Sequence, residues 1–290
     1  IKYYDERLDL NDMGYLILND RLMFNGRTQF KRTTFQEGSV LRSRLFEIGY
    51  GSKFNVDSER ESSNFALKLE NNFVNLSEIK AEVFYRSTGR NTRITRGSKF
   101  APFIKMPKGM GGYIDFTGPR RPTYVYGLRF ERGRGSEHSP ELGWGTKSRG
   151  YLKYMPTDKL SFSLTYQHQR ENEWLNWYGD NLLATFKRKQ RTSVVEMEWF
   201  RNNIHELRIK AQMVAFTGRE PQSFLGDLSG NLNPEDIYIP PITISELAFQ
   251  VRYRYEIMPL SYLYLVYSKG GRISLQDEED DLFSLYRRPW

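Results

Sequence analysis

Long runs in which apolar and polar residues alternate one for one constrain this chain more than any other feature. In 159–169 (KLSFSLTYQHQ), Leu160, Phe162, Leu164 and Tyr166 share one side, and Ser161, Ser163, Thr165, Gln167 and Gln169 share the other. In 246–257, Leu247, Phe249, Val251, Tyr253 and Tyr255 oppose Gln250, Arg252, Arg254 and Glu256. Segments 205–215 and 77–86 repeat the pattern, with Leu207, Ile209, Ala211 and Met213 against Arg208, Lys210 and Gln212, and Ile79, Ala81 and Val83 against Glu78, Lys80 and Glu82. A period of two puts successive side chains on opposite faces of a strand. A helix would instead place Phe249 and Arg252 on one stripe, which leaves no apolar face to bury. The runs are also long. Strands of soluble proteins average about 5–6 residues, whereas a tilted strand crossing a bilayer needs about 9–11.

Composition agrees once it is divided between two faces. The 290 residues carry a net charge of +8, 15% aromatic residues, no cysteine and a mean hydropathy of −0.65. Without cysteine, a disulfide framework and a thiolate zinc site are excluded. The aromatic content excludes a disordered chain. No run approaches the roughly 18 apolar residues of a membrane helix. Low mean hydropathy is no evidence of solubility here, because only every second residue of a barrel strand meets lipid.

Pairing and turn lengths point the same way. Folding 63–74 onto 76–88 about Val74, Asn75 and Leu76 sets Lys68 against Glu82 and Glu70 against Lys80. The other face then pairs Leu67 with Val83 and Leu69 with Ala81. Charge complements on one side and apolar pairs on the other suit an antiparallel ladder. A hairpin about Asn202 is expected to set Glu196 against Arg208 and Met197 against Leu207. Short turns at 32–37, 74–76, 119–122, 155–158, 201–204 and 257–260 alternate with longer connections at 57–62, 89–110, 134–142, 170–180 and 217–242. Outer-membrane barrels have this asymmetry, with short periplasmic turns and long outer loops. The parity requires 181–201 to be one long strand, with a bulge near 188–190. Trp199 and Phe200, beside a short turn, suit the periplasmic aromatic girdle.

The polar face carries the candidate functional residues. Lys68, Glu70, Lys80, Glu82, Glu196, Arg208, Lys210, Arg252 and Arg254 are expected to line a lumen, with Arg208, Lys210, Arg252 and Arg254 its most basic part. An open lumen of that kind favours anionic solutes. A salt-bridged wall that rigidifies a narrow or plugged barrel is the plainer account of the same residues.

Catalytic and metal signals are thin. The histidines are His138, His168 and His205, and none pairs with another at ligand spacing. His168 continues the outward row of Leu164 and Tyr166 and reads as an interfacial histidine. Glu137, His138 and Ser139 would serve a barrel-embedded hydrolase, but adjacent strand residues point to opposite sides. Glycines at 108–112 and 132–135 lack a phosphate-loop pattern and read as turn and loop glycines. Oxygen-rich segments at 227–236 (DLSGNLNPED) and 277–281 (DEEDD) allow a loop calcium without matching an EF-hand. No cofactor is otherwise implied. The basic excess lacks the interleaved aromatics of a nucleic-acid module, so no nucleic-acid partner is expected.

Some segments resemble a family of Gram-negative outer-membrane barrels of unknown function. Residues 11–16 (NDMGYL) look like that family's Asn-Asp-Leu-Gly-Phe-Leu motif. Thr95, Arg96 and Gly97, followed by Lys105, Met106 and Pro107, are similar to its Thr-Arg-Gly-Gly-Pro-Leu stretch, with Ser98 for the second glycine. Residues 247–269 look like its penultimate hairpin, with Pro259, Leu260 and Ser261 where Pro-Gly-Ser is usual. The resemblance implies a preceding carbohydrate-binding-like domain, further strands on either side, and no assigned catalytic residues.

The expected fold is therefore all-β: an antiparallel up-and-down transmembrane β-barrel, about 12 strands visible over 1–290 as a single segment, incomplete at both ends. The expected place is the bacterial outer membrane. The expected role is transport or scaffolding linked to glycan or nutrient handling. Outer-membrane lipid, other outer-membrane or periplasmic proteins, and a glycan or anionic solute are the expected partners. The alternatives are a barrel-embedded hydrolase, less favoured than a non-enzyme, and a soluble β-rich binding protein.

Overall fold

The computed structural model describes residues 1–4, 21–55, 60–96, 98–134 and 142–275. Segments 11–16, 137–139, 277–281 and 287–290, and Gly97, lie outside the described residues. The strands are β1 (Lys2–Tyr4), β2 (Arg21–Arg32), β3 (Leu41–Phe54), β4 (Arg60–Phe73), β5 (Glu78–Arg86), β6 (Gly89–Asn91), β7 (Ile104–Met106) and β8 (Gly109–Thr117). They continue as β9 (Tyr124–Arg134), β10 (Trp144–Thr157), β11 (Leu160–Gly179), β12 (Leu182–Phe200), β13 (His205–Gly226), β14 (Leu232–Glu235), β15 (Ile242–Met258) and β16 (Ser261–Leu275). Among the described residues there is no helix.

The chain is an all-β antiparallel meander. Each long strand pairs with the next, in the order β1 to β5, β8 to β13, then β15 and β16. The short β14 adds to the end of β13, and β6 pairs only with β7. Among the described residues β1 and β16 do not pair with each other, so the sheet is not closed.

Short turns form where the sequence places them, for local reasons. At 74–76, Leu76 takes a positive φ of 68°. Asn75 Oδ1 accepts from Ser77 N at 3.0 Å and Ser77 Oγ at 2.6 Å, occupying donors that the tight bend strands. Asn202 Oδ1 does the same for Ile204 N (3.1 Å) and His205 N (2.9 Å).

One row of cross-strand neighbours crosses the whole sheet on its apolar side. It runs Phe30, Phe46, Leu69, Ala81, Ile114, Phe130, Ser148, His168, Arg191, Ala215, Ser245. The row starts two residues inside Arg32 at the short-turn end of β2. On β11 it stands eight residues beyond Leu160, well above the short-turn end. Strands tilted against a barrel axis require this stagger.

Strands β11, β12 and β13 are the longest, at 20, 19 and 22 residues. Their far ends, on the long-connection side, hold most of the fully buried apolar side chains. Leu175, Leu183, Ile104 and Met106 form one cluster, flanked by Ile94, Leu142, Trp177 and Leu232. Ala184, Phe186 and Ile239 form a second, flanked by Trp174, Leu182 and Ile242. Consecutive residues Leu183, Ala184, Thr185 and Phe186 are all buried, so both faces of β12 are covered there.

Four sequence expectations are corrected. Residues 170–180 and the first part of 217–242 are not connections, because β11 and β13 run through them to Gly179 and Gly226. Burial on both faces removes the polar-apolar alternation that would have marked them as strand. β12 is a single strand, as the parity requires, but the bulges sit in its neighbours. Extra residues fall at 172–173 in β11 and at 220–221 in β13, where Glu220 takes a φ of 51°. In the β12–β13 hairpin Glu196 faces Lys210 and Met197 faces Ile209. The register thus differs by two residues from the expectation, which leaves every side chain on its expected face. Finally, Gly111 and Gly133 lie inside β8 and β9, directly opposite one another. A Cβ on Gly111 would stand 2.8 Å from the Phe84 ring, so these glycines make room for an aromatic on the polar face.

Candidate functional site

The polar face is continuous across the sheet and collects every charged residue that the alternation assigns to it. Lys68 stands opposite Glu82, and Glu70 opposite Lys80. Glu196 stands opposite Lys210, and Arg208 opposite both Glu198 and Arg252. Arg254 stands opposite Glu206.

The closest ion pairs follow two geometries. On β4 and β5 they lie along the strand, two residues apart on the same face: Lys68 Nζ to Glu70 at 3.6 Å and Lys80 Nζ to Glu78 at 2.7 Å. On β8 and β9 Arg129 bridges Asp115 (3.5 Å) and Glu131 (3.3 Å) and lies 3.7 Å above the Tyr113 ring. On β12 to β15 most pairs cross between strands, and Arg208 also meets Glu206 along β13. Lys210 Nζ is 2.7 Å from Glu196, which also accepts from Ser163 Oγ at 3.2 Å.

Glu206 is the hub of this part of the wall. Its side chain is 4% exposed and is shared by Arg208, Arg252 (3.8 Å) and Arg254 (2.9 Å), and Arg208 also reaches Glu198 at 3.6 Å. A carboxylate so deeply covered is sustained by the guanidinium groups around it. The four cations expected to form a basic stretch are therefore all met by carboxylates.

A second hub lies where β11 and β12 lengthen. Glu171, 1% exposed, pairs with Arg188 at 3.3 Å, and the guanidinium sits 5.2 Å from the Trp174 ring and 5.3 Å from that of Phe216. The sequence reading missed Glu171 and Arg188 because it placed 170–180 in a loop. It missed Glu198 and Glu206 as members, although both share the alternation of Glu196. It also passed over Asp115, Arg129 and Glu131, which alternate in the same way.

The catalytic and metal candidates gain no geometry. His138 and Ser139 lie outside the described residues. In the 227–236 loop the Asp227 carboxylate accepts from Asn231 N and Nδ2, both at 2.8 Å, closing a tight turn. These bonds hold its pKa below the ordinary aspartate value. Among the described residues no three His, Asp or Glu side chains converge on a metal-sized site. What the wall can do is electrostatic: it presents fixed, mutually compensated charges to whatever lies against it. Comparison with known protein families, curated proteins and solved structures finds no match to this chain.

Proposed function

We propose that the chain forms the wall of a bacterial outer-membrane β-barrel, with the apolar face toward lipid and the ion-paired face toward an aqueous interior. One observation carries this reading: large hydrophobic side chains stand exposed on the apolar face of β2 to β5, β8 to β12 and β16, while on β13 and β15 Met213, Ala215 and Leu247 of that face are covered. Leu128 is 62% exposed, Ile114 and Val83 59%, and Leu265 58%. A water-soluble protein rarely leaves so extended an apolar surface bare. Aromatic residues flank the band, as interfacial girdles do. Phe30, Phe46, Tyr124, Tyr154 and Trp199 lie toward the short turns, and Tyr50, Phe65 and Tyr85 toward the other end. The resemblance of 247–269 to outer-membrane barrels favours the same setting.

Within that setting the role is transport or scaffolding, linked to glycan or nutrient handling. A wall of compensated ion pairs serves a water-filled passage for small anions or glycans, and equally a rigid frame for partner proteins. Two measurements test the reading. Fractionation with outer membranes and heat-modifiable migration in detergent gels are expected. Recovery as a soluble monomer without detergent overturns it. Single-channel conductance then separates a passage from a frame. The chain has no native cysteine, so single cysteines report faces cleanly: Phe249→Cys is expected to be shielded in lipid and Arg252→Cys to react with aqueous reagents.

A further inference from the structure

A group of cations gathers at the long-connection end of the apolar face. Arg132 and Arg134 on β9, His168 and Arg170 on β11, and Lys189 and Arg191 on β12 all point to the same side as Leu128, Leu164 and Val195. His168 stands opposite Arg191, and Arg170 opposite Lys189. Arg132 and Arg170 flank Thr146 from its two sides. The group therefore spans four adjacent strands, about 14 Å. It lies just beyond the apolar band, toward the long connections.

Among the described residues no carboxylate meets Arg132, Arg170 or Lys189. Glu220, at the same end of the strands, is engaged by Lys187. His168 Nδ1 is buried without a hydrogen-bond partner. Like charges on facing positions of a ladder oppose folding unless a counter-charge lies between them. The group is also local. On the same face Arg191 and Lys189 give way to Ala215 and Thr217 on β13, then to Ser245 and Thr243 on β15. Arg132 and Arg134 give way to Gly112 and Met110 on β8. Elsewhere on this face cations stand singly or in pairs: Arg32 opposite Arg44 at the short-turn end, Lys187 opposite Arg219 and paired with Glu220, and Lys269 opposite Phe249.

We infer that this patch is a binding site for a phosphorylated glycolipid of the outer leaflet. The acyl chains lie along Leu128, Phe130, Leu164 and Val195, and the phosphates lie against Arg132, Arg170 and Lys189. Trp144, over which Arg132 sits at 5.4 Å, supplies a flat surface beside the headgroup. The inference rests on the membrane reading above, since it needs the apolar face in lipid. Charge complementarity selects the headgroup, and the adjoining apolar band selects a lipid over a free anion.

The test uses the full chain folded in neutral detergent, with heat-modifiable migration checked first. A chain that fails this check overturns the membrane reading itself, whereas a folded barrel that does not retain lipid overturns the lipid site alone. Lipid A is added and retention measured by native mass spectrometry, in parallel with dephosphorylated lipid A. Retention of the phosphorylated form, with at least tenfold less of the other, is expected and needs no variant. In an R132Q/R170Q/K189Q variant that still migrates as a folded barrel, affinity is expected to fall about a hundredfold. R149Q, on the opposite face of β10, is expected to leave binding unchanged. Equal retention of both lipids, or displacement by millimolar inorganic phosphate, overturns the inference; the second result marks a free-anion site.

Discussion

The lower and upper parts of β11–β13 are the same three strands in two different surroundings. From Leu160 to about Arg170 on β11, and over the matching part of β12, one face is apolar and exposed and the other polar and ion-paired; on β13 the apolar face is half-buried and closes over Met213 and Ala215. Above Arg188, Leu183 to Phe186 of β12 are buried on both faces, and with Leu175 and Trp174 of β11 they pack against Ile104, Met106 and Ile239. On the proposed membrane reading, lipid covers the apolar face of the lower part. The upper part brings its own cover and behaves as a small conventional core. Continuous backbone ladders thus do not imply one source of stability.

Substitutions can break that contrast, beginning with the core. Phe186→Ala leaves a cavity where Trp174 and Ile239 pack, at a cost of about 3–5 kcal/mol. Hydrogen exchange in detergent is expected to lose protection above Arg188 while the lower strands keep theirs; uniform loss along the strands would show that the two parts are one unit. Next, on the proposed membrane reading, Val195→Arg sets a cation on the apolar face against lipid and is expected to cost about 2–4 kcal/mol. Its neighbour Val194→Arg, which points to the polar face, is expected to cost far less. Urea unfolding from lipid vesicles measures both, and a reversed order would mean that the faces are inverted.

Smaller effects sharpen the comparison within the polar wall. Glu206→Gln leaves three guanidinium groups around a neutral amide and is expected to destabilise by about 1–3 kcal/mol. Glu196→Gln, in a pair that is half exposed, is expected to cost under about 1 kcal/mol and to be masked by salt. Equal losses in the two variants would remove Glu206 from its central place. The smallest effect concerns the 227–231 turn. Hydrogen bonds to the Asp227 carboxylate depress its pKa, so their contribution is present above the ordinary aspartate value of 3.8 and lost as the pH falls through the lowered one. NMR of the turn is expected to show Asn231 loosening on acidification, and Asp227→Asn to remove that response.

How much could be read beforehand follows the same division. Wherever one face meets charge and the other meets apolar surroundings, the sequence carries a period of two, and strand, face and partner strand follow from it. Lys68 against Glu82 was legible because both charge and apolar pairings agree on a single register. The β12–β13 hairpin was legible only to within two residues, since Glu196 and Glu198 offer Arg208 equally good opposites. Segment 170–180 was illegible as strand because Trp174, Leu175 and Trp177 are apolar on both faces, the mark of two-sided cover. The Glu171–Arg188 hub vanished with it. The outward cations of β9–β12 were visible one by one, but only the register assembles them.

The stagger of the strands has a consequence for anything that moves along the polar face. Cross-strand neighbours there run Gln29, Glu47, Lys68, Glu82, Tyr113, Glu131, Lys147, so that a lysine or a neutral ring stands between successive acids. Because each step also climbs, these residues do not make level rings. They wind as the thread of a screw. An ion travelling past such a wall would meet attraction and repulsion in rotation about its path, never a belt of one sign. Slipping a single strand by two residues would keep every face intact and still cut the thread.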